Sequence, residues 1–210
     1  MSVEHLEFHY EDLEKQTHAA RFGMWVFIGS EALLFGALFA LFAAYRVAYT
    51  ESFREAAGHT DLLLGTLMTI VLISSSYAVA ACIPAARSDR GGRIVRLLTI
   101  AVGLGILFLV LKGVEYTIHF RDGIFPGVYY RFAELTTPGA PTFFTLYYFM
   151  TGLHALHVIG GIGLLSWLGW KAHRGAWSST YHTPLELGGM YWHFVDVVWI
   201  FLWPLFYLLR

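Results

Sequence analysis

Five long apolar runs separated by short polar breaks dominate the chain, at residues 22–45, 62–86, 94–118, 142–170 and 185–209. A helix rises 1.5 Å per residue, so about 20 apolar residues cross a hydrocarbon core ~30 Å thick, and each run reaches that length. The runs are apolar all round instead of alternating, which predicts helices and not the strands of a membrane barrel. The breaks are an acidic and basic connection (46–61), a tight turn with Gly91 and Gly92 (87–93), a Gly/Pro-rich loop (120–141) and a polar loop (171–184). This pattern gives an all-α, five-helix membrane bundle at residues 22–210 preceded by a tail at 1–21, without a separate soluble module.

Composition agrees with that reading. Of the 210 residues 57% are hydrophobic and only 14% charged, outside the range of an ordinary soluble domain. A net charge of −1 and the lack of a basic run argue against a nucleic-acid partner. Cys82 stands alone in an apolar run and reads as a small buried hydrophobe, since one cysteine cannot form an internal disulfide or a Cys-rich cluster. The tail carries Glu4, Glu7, Glu11, Asp12 and Glu14 without a basic start, so it does not read as a cleaved signal peptide. His5, His9 and His18 lie in that polar tail without a clear facing pair and read as solvated, not metal-binding. Arginines and lysines set the orientation. The tail, the second break and the fourth hold eight (Lys15, Arg21, Arg87, Arg90, Arg93, Arg96, Lys171, Arg174) against five on the other side (Arg46, Arg54, Arg121, Arg131, Arg210). That bias predicts a cytoplasmic N-terminus and a periplasmic C-terminus. Tyr45, Tyr49, Trp170 and Trp177, near run ends, are expected as interfacial anchors.

The candidate chemistry lies in polar residues inside the runs, because a charge at mid-membrane costs about 2.5–3.5 kcal/mol even on the lenient insertion scale. Glu31 stands nine residues past Phe22, roughly 13 Å along a helix, so it must face protein, water or a proton. Lys112 and Glu115 share a helix face at i, i+3 and can pair. His154 with His157, and His193 with Asp196, repeat that spacing. Gly152, Gly160, Gly161 and Gly163 offer a smooth surface for close helix packing. Two histidines on one helix cannot sandwich a haem, and the chain has no HExxH, phosphate loop or Cys/His ligand set. The stripe Trp192, Trp199, Trp203 reads as packing or lipid contact. A secondary transporter would also bury such groups, but usually with paired repeats and broken helices at the midplane, which are not seen here.

The blocks WVFIGSEALLFGALF, LKGVEY, YYFMTGLHALHVIGG and YWHFVDVVWIFLWPL, in this order and at these separations, resemble subunit III of the haem-copper oxidases, the superfamily of cytochrome c and quinol oxidases. The resemblance covers all five runs and is to the five-helix bacterial form. It implies helices splayed into a V whose cleft holds phospholipid. It also implies an accessory subunit of the bacterial inner membrane that has no haem, copper or active site of its own. Such a subunit docks on catalytic subunit I, beside subunit II, and supports its stability and proton uptake during aerobic electron transport. By motif, Glu31 matches the intramembrane glutamate and Glu115 the EY glutamate. His154 and His157 match the GLHxLHV pair, and His193 with Asp196 the WHFVD pair, which is expected to clasp the last helix to Glu31 or His154. Phospholipid headgroups are expected near Arg46 or Arg174. Lys112 stands where many relatives have Gln, and Lys in KxxEY resembles the bacterial branch that includes both cytochrome oxidases and the accessory protein of a nitric oxide reductase, which leaves the exact partner open; the alternatives are a quinol oxidase or that reductase.

Overall fold

The computed structural model describes residues 12–209, and within them the chain is helical, with no strand. Helix α1 (Leu13–Ala48) begins nine residues before the first apolar run. Asp12 starts it by accepting the Lys15 N–H at 2.7 Å, and Glu14 adds a favourable charge in the first turn. The tail expected up to residue 21 is therefore helical from residue 13, with His18 exposed on it; His5 and His9 lie outside the described residues. The second run forms α3 (Leu62–Ala80) and α4 (Cys82–Arg87), broken at Ala81. Pro84 has no N–H for the carbonyl of Ala80, and its ring crowds that turn. Helices α5 (Gly91–Arg121), α6 (Ala140–His173) and α7 (Thr183–Trp203) are the remaining runs, and Pro204 converts the end of the last into a π turn, Pro204–Leu208. One helix, α2 (Thr50–Gly58), falls inside a break read as a connection. Its Phe53, Ala56 and Ala57 form a buried stripe, with Phe53 between Phe42 and Phe143 at 5.3 Å from each, while Glu51 and Arg54 pair in solvent.

Helix α5 packs between α3 and α6, and α7 closes against α3 and α6. The knob that locks these helices is Trp192 of α7, fully buried. Its ring fills the space over two glycines: a Cβ on Gly161 would lie 2.6 Å from it and one on Gly105 2.9 Å. Its indole N–H donates to Ser75, whose hydroxyl donates on to the Ala101 carbonyl, both at 3.1 Å. Trp199 is also buried and donates to Thr69 at 3.0 Å, so two members of the tryptophan stripe are core and only Trp203 is partly exposed. Of the expected glycine surface, Gly161 and Gly160 meet α7, Gly152 has only the Tyr116 hydroxyl at 3.9 Å, and Gly163 faces open space. Cys82 is buried, with its thiol 3.5 Å from the Ala78 carbonyl.

Helix α1 is attached differently. Only Phe35 and Phe42 are buried on it, while Phe22, Trp25 and Leu33 stay mostly exposed, and its contacts are with α7, α6 and α2. At one pole of the bundle Arg21 of α1 pairs with Glu186 in the first turn of α7, which also faces His182 at 3.4 Å and Arg87 of α4 at 3.9 Å. That network joins the starts of α1 and α7 to the end of α4. Trp177, expected as a membrane anchor, is instead buried and donates to the Leu168 carbonyl at 3.0 Å, because the loop after α6 folds back on the helix end. Tyr45, Tyr49 and Trp170 remain exposed near helix ends.

The Trp192 knob yields a direct test. Gly161→Ala should destabilise the chain by about 1–3 kcal/mol, the usual cost of overpacking, whereas Gly163→Ala, in open space, should be neutral. Thermal unfolding of both variants in mild detergent reads the difference.

Candidate functional site

The buried polar side chains form three groups at different depths. The first joins α1 to α6. Glu31 Oε2 lies 3.0 Å from His157 Nε2, and the other ring nitrogen of His157 lies 2.8 Å from the Leu153 carbonyl. A carbonyl only accepts, so His157 Nδ1 carries a hydrogen. One proton then lies between Nε2 and the carboxyl, and whichever atom holds it, the pair as a whole has no net charge. That explains how an ionisable pair sits near the middle of both helices. Tyr191 of α7 donates to the His157 carbonyl at 3.0 Å, and Phe35 packs edge-on to the imidazole at 5.3 Å. The partner of Glu31 is thus His157 of α6, not the His193 and Asp196 pair expected to reach it from the last helix.

The second group joins α3 to α7. His193 Nδ1 lies 2.6 Å from the Ser76 hydroxyl, so His193 clasps α3 and not α1 or α6. Asp196, one turn further, is buried, and neither of its oxygens has a hydrogen-bond partner among the described residues. His154 is likewise buried with both nitrogens unpartnered; its ring lies 5.6 Å from Phe108 and 5.3 Å from Trp199. Of the expected clasp, the hydrogen bond is made by His193, to Ser76 of α3.

The third group closes the opposite pole from Glu186. The Lys112 ammonium uses all three hydrogens, donating to Glu115 Oε2 at 2.7 Å, Tyr147 at 2.9 Å and Tyr207 at 3.1 Å. Tyr207 in turn donates to Glu115 Oε1 at 2.7 Å. The rings of Tyr147 and Trp199 lie 4.3 and 5.4 Å from the ammonium, adding cation–π attraction. Beside it Tyr116 donates to Thr151 at 2.6 Å, since the Thr151 hydroxyl already gives its proton to the Tyr147 carbonyl. Tyr147, Tyr207 and Ser76 were not singled out from the sequence. For Tyr147 a signal existed: with Thr151, His154 and Val158 it makes a buried face at helical spacing. Arg46 and Arg174 stand exposed near opposite poles, Arg174 with its guanidinium 4.0 Å above the Trp170 ring.

Breaking the third group should be costly. Lys112→Met leaves Glu115 buried without its counter-charge and is expected to cost about 3–5 kcal/mol. The double change Lys112→Met with Glu115→Leu removes both charges and should recover much of the loss. A double-mutant cycle on detergent-solubilised protein measures the coupling.

Comparison with known proteins places this arrangement. The family model described as cytochrome c oxidase subunit III matches residues 7–209. The cytochrome c oxidase subunit 3 of Synechocystis sp. is 34% identical over 189 residues, covering 90% of this chain and 75% of that protein. The protein of the same name from Thermostichus vulcanus is 33% identical over 89% of this chain and 86% of its own length. A probable quinol oxidase subunit 3 from Staphylococcus haemolyticus is 27% identical over 94% of both. A match across nearly the whole sequence, carried by five helices able to span a membrane, means that the chain is a multi-pass membrane protein and belongs to the cytochrome c oxidase subunit III family.

Proposed function

We propose that the chain is the accessory subunit III of a proton-pumping haem-copper oxidase supplied by cytochrome c. It sits in a bacterial inner membrane against catalytic subunit I, with subunit II in the same complex, its N-terminus cytoplasmic and its C-terminus periplasmic. Its relatives are oxidase subunits, and those with the higher identities are cytochrome c oxidase subunits. The observation that carries the reading is how the intramembrane polar groups are used: Glu31 with His157, Ser76 with His193, and Lys112 with Glu115 each join helices or close a pole. They are spent on holding shape, the work of a subunit that supports a neighbour's chemistry and proton supply.

In this proposal haem and copper belong to the partner subunits. The arrangement of the residues supports that division. Among the described residues no three His, Cys, Asp or Glu side chains converge on one point. His154, fully buried, is packed by the rings of Phe108 and Trp199 at 5.6 and 5.3 Å. Phospholipid is held along the thinly covered α1, where Gly29 and Gly36 face open space, with a headgroup at Arg46 near the end of that helix or, at the other pole, at Arg174 after α6.

Two experiments test the proposal. In the assembled oxidase, Glu31→Gln keeps a donor for His157 Nε2 and should leave initial oxygen turnover near that of the parent, whereas Glu31→Ala unpairs His157 and should hasten inactivation during turnover. Immediate and complete loss of oxygen reduction in assembled Glu31→Gln enzyme would assign Glu31 to the obligatory chemistry. For orientation, single cysteines placed in the 87–93 turn of a Cys82→Ala background should resist impermeant thiol reagents in intact cells, and label once the membrane is opened.

A further inference from the structure

At the start of α5, Arg90, Arg93 and Arg96 line one groove of about 660 Å³ together with Gly92, Leu97 and Ile100. All three arginines are exposed, and none has an acidic partner among the described residues. The nearby acids are taken. Asp89 accepts the Ser179 N–H at 2.7 Å, and Glu186 is held by Arg21, His182 and Arg87. Arg96 gives its Nε–H to the Gly92 carbonyl at 3.4 Å, which leaves its terminal nitrogens to the groove. No acidic residue stands in the first turn of α5 and no side chain caps it, so the helix dipole adds to the positive potential there.

Below the arginines the same face turns apolar. Leu97, Ile100, Leu104 and Leu107 follow at i, i+3, i+7 and i+10; Ile100 is 53% and Leu107 42% exposed, and the other two are half-buried. These four cover about 15 Å along the helix, the depth of one leaflet of a ~30 Å core. A face with, at its head, three guanidinium groups that lack an acidic partner among the described residues, and a leaflet-deep apolar track beneath, matches one kind of molecule in both charge and length. We propose that this face of α5 binds one anionic phospholipid, its phosphate held by Arg90, Arg93 and Arg96 and an acyl chain lying along Leu97 to Leu107. Guanidinium groups suit the phosphate because they offer paired donors in a plane. The site lies at the opposite pole from Arg46 and on a different helix from Arg174, and it does not depend on which oxidase the chain serves.

The test uses the full chain in nanodiscs of equal phosphatidylglycerol and phosphatidylcholine, released into the gas phase for native mass spectrometry. The parent should retain one phosphatidylglycerol that Arg90→Gln/Arg93→Gln/Arg96→Gln loses by roughly tenfold or more. The triple Arg→Lys variant keeps the charge that sets topology and should hold the lipid at an intermediate level. Leu97→Asn/Leu104→Asn should weaken retention with the arginines intact. Equal retention by parent and triple Gln variant would overturn the proposal. Displacement of the lipid by millimolar inorganic phosphate would reduce the site to a phosphate pocket and also overturn it. So would a triple Gln variant that keeps its lipid but no longer assembles with the other oxidase subunits, since the arginines would then serve a protein contact.

Discussion

The Lys112 ammonium is the charge around which the bundle closes. It is 2% exposed, far from bulk water, and an ion so placed persists only when every hydrogen is directed to an acceptor. Meeting that demand fixes much else. Tyr207 must reach it from the end of the chain, and it does so through the π turn that follows Pro204. The ring of Tyr207 then needs room against α3, which Gly65 provides, since a Cβ there would lie 2.7 Å from the ring. Phe206, the next residue back, completes an aromatic cluster with Phe42, Phe53 and Phe143, so α1, α2 and α6 are gathered over the same pole. One buried cation thus links the register of α5, the start of α6, the last turn of the chain and a glycine on α3.

Much of this was legible in the sequence, and the rest was not for physical reasons. The five spans follow from run length alone. The Lys112 and Glu115 pair follows from i, i+3 spacing, because both partners lie on one helix. The partner of Glu31 did not follow. His154 and His157 are three residues apart and so point about 60° from each other around α6. Which of them faces α1 depends on the rotation of that helix, set by the seating of Trp192 over Gly161 and Gly105, a contact between three separate segments. Ser76 as the partner of His193 was hidden for the same reason, being 117 residues away. Helix α2 was missed because nine residues with mixed charge fall below the length at which a pattern stands out, although its Phe53, Ala56 and Ala57 stripe is regular.

The three polar groups differ in how they tolerate lipid. Lys112 and Glu115 are shut off from the bilayer by surrounding rings. Glu31 and His157 are less covered, with 18% and 15% of their side chains exposed, and stay compatible with the core by sharing one proton at no net charge. His193 and Ser76 achieve the same with neutral partners. The first arrangement favours rigidity and the second lets a proton shift between two atoms without altering the charge of the site.

The thin attachment of α1 has a consequence for biosynthesis. Glu31 and His157 are 126 residues apart, and Arg21 and Glu186 are 165 apart. At about 5–20 residues per second, on the order of ten seconds separate the emergence of the first helix from that of the residues that hold it. During that interval α1 stands in the bilayer on its own apolar surface, with its one intramembrane acid unpartnered. The breadth of exposed Phe, Trp and Leu on this helix, far more than its later contacts need, is what allows it to wait.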